Sequence, residues 1–326
     1  VRGRRNCGSD KRGMRPAFES EELKRELERS LGFALRPLER LGGSVALNFK
    51  AVRASDGLTF AVKCLPKAKR KNYDRIVEHL DVLSEVNGVR RIFERECVPS
   101  FADFDVLCLS WCEGEHLFPD KLTDGEFETF LADYLKFSNA MQKVKTLSEA
   151  RPIAEWRRSL LAKCSGPAAG IFRRAVERLT RDGCEYTPEA VRVTHGDFHH
   201  GNFLFSAGRV RAFLDLEELR PGYPAEDLVR YFTCAAEHLR WYEGRRRRRL
   251  LRRFRMAVGR TPYSRREWLE AIGMRYVVKA YKKIRHAERI GVGDALNLVW
   301  RAGFYDAMRR VVEDVRVSPA KRECGR

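Results

Sequence analysis

His195-Gly196-Asp197-Phe198-His199-His200-Gly201-Asn202, then an apolar run over 203–205, a turn at Ala207-Gly208 and Ala212-Phe213-Leu214-Asp215, is the stretch that decides the fold. It follows the pattern H-G-D-x-x-x-x-N plus a later Asp. The five-residue step lets one loop present Asp197 and Asn202 together, and a hairpin returns Asp215 beside them. A carboxylate that accepts a hydroxyl proton, flanked by two oxygen ligands for a hard cation, is what phosphoryl transfer needs, because positioning and charge stabilisation are most of that catalysis. Asp197 fits the first role, and Asn202 with Asp215 fits the second, as ligands of magnesium on the phosphates. Taken singly, Asp197 reads as a turn residue, Asn202 as a cap and Asp215 as a strand-end carboxylate; the combination carries the reading. His195 reads as a structural hydrogen-bonding residue. His199 and His200 face substrate or solvent, and an adjacent pair makes no metal site without further ligands.

N-terminal to this stretch, residues 20–31 read as a short charged helix. Ala46 to Val52 and Leu58 to Leu65, joined by Ser55-Asp56-Gly57, read as a hairpin. A helix follows from about Asn72 to Glu85 with Ile76, Leu80 and Leu83 on one face, then a buried strand from Phe104 to Trp111. After Gly114 the pattern turns helical. Phe127, Phe130, Leu131, Tyr134 and Met141 share one face behind a cap at Thr123 or Asp124, and further helices fall near 267–289 and 294–314. The predicted organisation is a basic tail over 1–19, a nucleotide-binding lobe over 20–112, a helical catalytic and substrate lobe over 113–318 and a tail over 319–326, with a nucleotide cleft at the lobe boundary. Met14 is a candidate start.

The segment Thr194 to Arg230, with Asp227 in Pro224-Ala225-Glu226-Asp227-Leu228-Val229, resembles the catalytic core of the aminoglycoside phosphotransferase and choline-kinase-like families. The resemblance implies an α+β, protein-kinase-like fold of two lobes, a small antiparallel β-rich N-lobe and a larger, mostly helical C-lobe. It implies ATP and Mg2+, Asp197 as catalytic base, Asn202 and Asp215 as metal ligands, and Asp227 as a structural carboxylate at the start of the following helix. Phe60-Ala61-Val62-Lys63 resembles the kinase strand whose lysine contacts the α- and β-phosphates. Glu78, fifteen residues on, is the expected ion-pair partner, with Glu85 on the same helix face as the alternative. Gly42-Gly43-Ser44 departs from the glycine pattern of protein kinases and reads as a phosphate cradle or a plain hairpin turn. Trp111-Cys112-Glu113-Gly114 reads as the hinge whose backbone meets adenine, or as an ordinary exit loop.

Two absences bear on the acceptor. No D-F-G follows Leu214, no A-P-E lies downstream, and only about ten residues separate Asp215 from the helix near Ala225, so a peptide-docking segment does not fit. His195 is followed by Gly196 where protein kinases carry the arginine that anchors an activation-loop phosphate. The expected acceptor is a hydroxyl on a small molecule or glycan.

The 326 residues are 44% hydrophobic and 33% charged, the balance of a globular chain. No stretch approaches the ~20 apolar residues that span a bilayer, and residues 1–15 hold no apolar signal core, so a cytoplasmic protein is expected. Nine cysteines without C-x-x-C spacing argue against a zinc cluster or a disulfide framework. The outlier is a net charge of +19, which predicts an anionic counterpart. From Arg240 to Arg266 there are twelve arginines against Glu243 alone. Leu250, Leu251, Phe254 and Val258 share a helical face, with Arg252, Arg253 and Arg255 off it. The expectation is an anionic or membrane-presented acceptor, such as a sugar of the lipopolysaccharide core, met at an anionic surface through residues 245–255 and placing the protein at the inner face of the membrane. An aminoglycoside or amino-alcohol kinase is the alternative, and a catalytically silent kinase-like module the alternative of another class. Nucleic acid is disfavoured because no recognition motif accompanies the arginines, and no specific protein partner is inferred.

Overall fold

The computed structural model describes residues 20–41, 46–93, 100–101, 103–145, 149–164, 167–183, 185–239, 243–286 and 290–315. The predicted tails over 1–19 and 319–326, and the turn Gly42-Gly43-Ser44, lie outside the described residues. The chain divides into two compact units, Val1–Asp74 with Arg91–Trp111, and Arg75–Arg90 with Cys112–Arg326.

The first unit opens with α1 (Ser20–Leu31), whose Leu23 and Leu27, one helical turn apart, are fully buried. Then come β1 (Glu39–Arg40), β2 (Leu47–Val52) and β3 (Thr59–Pro66), the beginning of α2 (Arg70–Val82), β4 (Ser100–Phe101) and β5 (Phe104–Ser110). The strands make one antiparallel sheet in the order β1-β2-β3-β5-β4. Alternation along β3 turns Phe60, Val62 and Cys64 into a core shared with Leu23, Leu27, Phe49, Val106 and Cys108. Burial pushes the Cys64 and Cys108 thiols up to about 12, so both stay protonated.

The second unit carries α3 (Asp124–Met141), α4 (Ile153–Ala162), α5 (Pro167–Leu179), β6 (Arg192–Thr194), β7 (Phe203–Ser206), β8 (Arg209–Phe213), β9 (Arg220–Gly222), α6 (Pro224–Glu237), α7 (Gly244–Arg260), α8 (Arg265–Ile284) and α9 (Val292–Asp314). Thr123 caps α3 in a reciprocal box with Glu126. The buried face of α3 feeds an aromatic core in which Phe130 lies 5.3 Å from Phe203 and 5.0 Å from Tyr231, and Phe137 stacks on Phe213 at 3.9 Å. β7 and β8 pair through Ala207-Gly208, both at positive φ (50° and 76°), the backbone a two-residue hairpin turn requires.

Three expectations change here. α2 ends at Val82, so Glu85 sits in an exposed turn and not on the helix face shared with Glu78. The chain leaves the helix there because the following residues are tied to β8: Asn87 Oδ1 accepts from Phe213 N at 3.0 Å, and Gly88 lies flat against the Arg211 carbonyl. A Cβ on Gly88 would stand 1.7 Å from that oxygen. Gly88→Ala is therefore expected to lower stability by about 1–3 kcal/mol through overpacking, read as a fall in the denaturant midpoint; an unchanged midpoint would mean the two segments are not in register.

The second change is on α7. Arg253 does not lie off the apolar face but is buried with Leu250, Phe254, Ala257 and Val258. Its guanidinium carbon lies 5.8 Å from the centre of the Phe127 ring, and the guanidinium donates to the Leu122 carbonyl at 2.6 Å and pairs with Asp124. α8 also ends at Ile284, five residues before the predicted boundary.

Candidate active site

The loop between β6 and β7 is fixed at three points. Asp227, buried near the start of α6, accepts His195 N at 2.7 Å and Gly196 N at 3.0 Å. Burial pushes its carboxyl up, against the two backbone donors that favour the charge. Gly196 has φ +75°, and a Cβ there would stand 2.3 Å from the Glu218 carbonyl, so both conformation and space demand glycine. Phe198 is fully buried, 5.0 Å from Tyr134 and 5.7 Å from Phe203, which leaves its neighbour Asp197 half-exposed at the surface of that core.

Asp197 is the most tightly held carboxylate of the loop. Arg230, one helical turn after Asp227, pairs with Oδ1; His199 Nε2 lies 3.4 Å and Asn202 Nδ2 3.5 Å from Oδ2. His199 Nδ1 accepts from Gly201 N at 3.0 Å, which assigns its ring proton to Nε2 and directs it at Asp197. Burial opposes the charge on Asp197, but the His199 hydrogen bond and the Arg230 guanidinium outweigh it and hold the carboxyl well below the usual carboxylate range. Asn202 Nδ2 also donates to the Asp197 carbonyl at 2.9 Å.

The hairpin brings Asp215 back to this loop. Leu214 N donates to the Asn202 carbonyl at 2.8 Å, and His195 Nε2 meets the Leu214 carbonyl at 2.8 Å. Asp215 follows in the left-handed region (φ 56°, ψ 54°), exposed at the end of β8. That conformation is uncommon for a side chain other than glycine and asparagine or aspartate, and such positions gather at functional sites. The next turn is held by buried His79, whose Nδ1 lies 2.8 Å from the Leu216 carbonyl.

A second layer was not foreseen. Arg151 donates to the Gly196 carbonyl at 3.1 Å. Arg275 on α8 is only 5% exposed, and its Nε has no hydrogen-bond partner among the described residues. Two turns on, Lys282 is lowered to about 8 by partial burial and by the charges of Arg151, Arg230 and Arg275. Burial and the charges of Arg275 and Arg220 bring Arg151 down to about 10. Cations converge on Asp197 from α6, α8 and the segment before α4. Only Arg230 had a signal in the sequence, its one-turn spacing from Asp227; the others come from distant helices.

Of the remaining predicted residues, Lys63 lies on β3, 7% exposed, between Asn48 on β2 and Leu107 on β5. Burial of a lysine in a sheet argues against a solvated surface residue. Trp111 follows β5 with Lys50 Nζ 4.6 Å over its ring; Glu113 and Glu78 are exposed. The His200 ring lies against Phe118, centroids 3.9 Å apart and tilted by 33°. Burial, then the charges of His199, His238 and His116, lower it to about 4. It therefore serves as a neutral packing group and not as a cation.

Comparisons with known proteins bear on the family and the fold. The model of the phosphotransferase enzyme family (APH) matches residues 38–268, well over half of the chain. No curated protein matches the sequence. Among solved structures, spectinomycin phosphotransferase APH(9)-Ia, in complex with ADP and spectinomycin, is similar at TM-score 0.56 and 12% identity over 91% of this chain and 99% of that one. A thermostable mutant of aminoglycoside phosphotransferase APH(4)-Ia, with AMP-PNP and hygromycin B, gives 0.52 and 13% over 90% and 99%. Macrolide 2'-phosphotransferase MphH from Brachybacterium faecium gives 0.50 and 15% over 92% and 99%. At these identities the likeness is one of fold, the protein-kinase-like fold expected from the loop motif. The family match adds the chemistry: the chain belongs to the APH phosphotransferase enzyme family, and is an ATP-dependent phosphotransferase with an alcohol group as acceptor.

Proposed function

We propose that the protein moves the γ-phosphate of ATP to a hydroxyl of an anionic small molecule or glycan, with Asp197 as catalytic base. The observation that carries this reading is the loop that holds Asp197 against Asn202 while the hairpin returns Asp215 one residue past the Leu214–Asn202 hydrogen bond. Asp197, kept ionised, orients the acceptor hydroxyl from the start and takes its proton late, as a loose phosphoryl transition state allows. Asn202 and Asp215 are the candidate magnesium ligands. The Asn202 amide nitrogen is committed to Asp197, which leaves Oδ1 as the ligand atom, and an oxygen-only pair suits a hard cation that keeps its other positions for phosphates and water. Magnesium, when bound, neutralises charge on the phosphates. His195 and Asp227 hold the loop, Lys63 meets the α- and β-phosphates, and the backbone around Trp111 and Glu113 meets adenine. Lys63→Ala is then expected to raise the Michaelis constant for ATP and lower turnover; unchanged ATP kinetics would assign the phosphates to another lysine.

The acceptor class is supported by the cations around Asp197. Arg151, Arg275 and Lys282 are each lowered by burial and then by neighbouring cations, Arg230 among those acting on Arg275 and Lys282, a crowding of like charge that an acidic acceptor relieves and a polycation aggravates. An acidic sugar, such as one of the lipopolysaccharide core reached at an anionic membrane, fits this chemistry. The second reading is an aminoglycoside, favoured by the antibiotics bound in the similar structures. ATP consumption against acidic glycans, hexose phosphates, neutral sugars, amino alcohols and aminoglycosides, at low and high salt, separates the two. Turnover on acidic acceptors that weakens with salt is expected, and turnover on aminoglycosides alone would overturn the anionic reading.

A further inference from the structure

α7 begins with five consecutive arginines, Arg245 to Arg249, in turns where the helix macrodipole favours acids. Further along the helix the basic residues are occupied. Arg252 and Arg253 pair with Asp124, Arg260 with Glu128 at 2.7 Å and Arg255 with Asp314 at 3.5 Å. At the N-terminal end, Arg246 holds Asp120 and Glu243, and Arg247 donates to the Gly303 carbonyl at 3.1 Å. Arg245, Arg248 and Arg249 are exposed and make no hydrogen bond or ion pair among the described residues. Among the described residues no acid pairs with them, at a helix end whose dipole disfavours cations.

The same end of α7 lies against the middle of α9, where Gly244 and Arg247 share the lining of a recess with Trp300 and Phe304. From Trp300 toward the N-terminus of α9, Leu296 and Val292 follow at four-residue steps, so the three lie on one helix face. They are 54%, 55% and 63% exposed. The stripe runs about 12 Å at 1.5 Å per residue. The charged groups beside it are paired: Asp294 with Lys283 at 2.9 Å and Arg301 with Glu237 at 2.8 Å. An exposed apolar stripe on the helix against which the arginine-bearing end of α7 packs is the pattern of an interfacial lipid contact, in which side chains enter the boundary layer while cations meet anionic headgroups.

We propose that Val292, Leu296 and Trp300 on α9, with Arg245, Arg248 and Arg249 on α7, form a docking face for a bilayer surface rich in anionic lipid. The predicted basic segment thus divides. Its N-terminal turn serves the surface, and its later arginines hold the fold. Charge selects lipid over a second copy of this chain, since two such faces would bring six unpaired arginines together. The inference deepens the reading of a membrane-presented acceptor and rests on it only for the purpose of the contact.

The test is co-sedimentation of the full chain, without nucleotide, with vesicles of phosphatidylcholine alone or with added phosphatidylglycerol. Binding to the anionic vesicles is expected, with little to the neutral ones. R245E with R248E should weaken it about tenfold or more, given roughly 1 kcal/mol for each basic residue near the surface. Glutamate at these positions suits the helix dipole, so the loss cannot be assigned to unfolding. L296S with W300S should weaken binding at unchanged salt dependence. Equal sedimentation with both vesicle types, binding unaffected by either double variant, or concentration-dependent self-association abolished by L296S with W300S would each overturn the proposal. Phosphotransfer to soluble acceptors would survive such a result, just as vesicle binding would survive a failure of phosphotransfer.

Discussion

Asp197→Asn is expected to lower phosphotransfer by about 10²–10⁴-fold, the range for removing a general base, while the melting midpoint stays near that of the parent chain. The fold should hold because Asp197 is half-exposed and the amide that replaces its carboxylate keeps the same shape against Arg230, His199 and Asn202. The loop itself is anchored by the Phe198 ring and by the Asp227 contacts, which the substitution leaves in place. Asp215→Ala should be at least as severe, since a lost metal ligand misplaces the phosphates as well as the charge. Near-parental turnover in either variant, measured at saturating ATP and acceptor, would remove these residues from the chemistry.

The largest effect on stability is expected at Asp227. Its carboxylate satisfies two buried backbone donors, His195 N and Gly196 N, and receives Tyr134 Oη at 3.5 Å. Asp227→Ala leaves both backbone donors without a partner at about 1–3 kcal/mol each, a loss of several kcal/mol in a chain whose whole stability is expected to be only about 5–15. The measurement is urea or thermal unfolding followed by circular dichroism. A large fall in the midpoint, with activity lost in parallel, is the expected result. An unchanged midpoint would mean that the loop is held by Phe198 alone.

The parts of the site that could be read in the sequence are those that local spacing determines. Asp197 and Asn202 share one loop, Ala207-Gly208 is a turn by its residue types, and Asp215 follows a strand that can only pair back. The sheet around Lys63 was legible because β2 alternates, the Ser55-Asp56-Gly57 turn marks the hairpin to β3, and β5 is a mostly apolar run. α4 and α5 were not anticipated; α4 has no side-chain cap of the kind that marks α3 at Thr123. Arg253 was misread because charge was taken as a sign of exposure, whereas a long aliphatic stem lets an arginine bury on the apolar face and carry its head to a carbonyl. Arg151, Arg275 and Lys282 had no local signal at all. They come from different elements, and only tertiary packing gathers them near Asp197. Phe198 occupied an unspecified position of the motif, yet its burial is what fixes the backbone next to Asp197, the proposed base.

The most direct test of the central claim is to incubate the chain with magnesium and ATP labelled at the γ-phosphate, resolve the acceptor panel, and locate the label by mass spectrometry. The account predicts one labelled phosphoryl group on a hydroxyl of an acidic acceptor, present with the parent chain and absent with Asp197→Asn and Asp215→Ala. Label released only as free phosphate, or transferred equally by the parent chain and both variants, would contradict it.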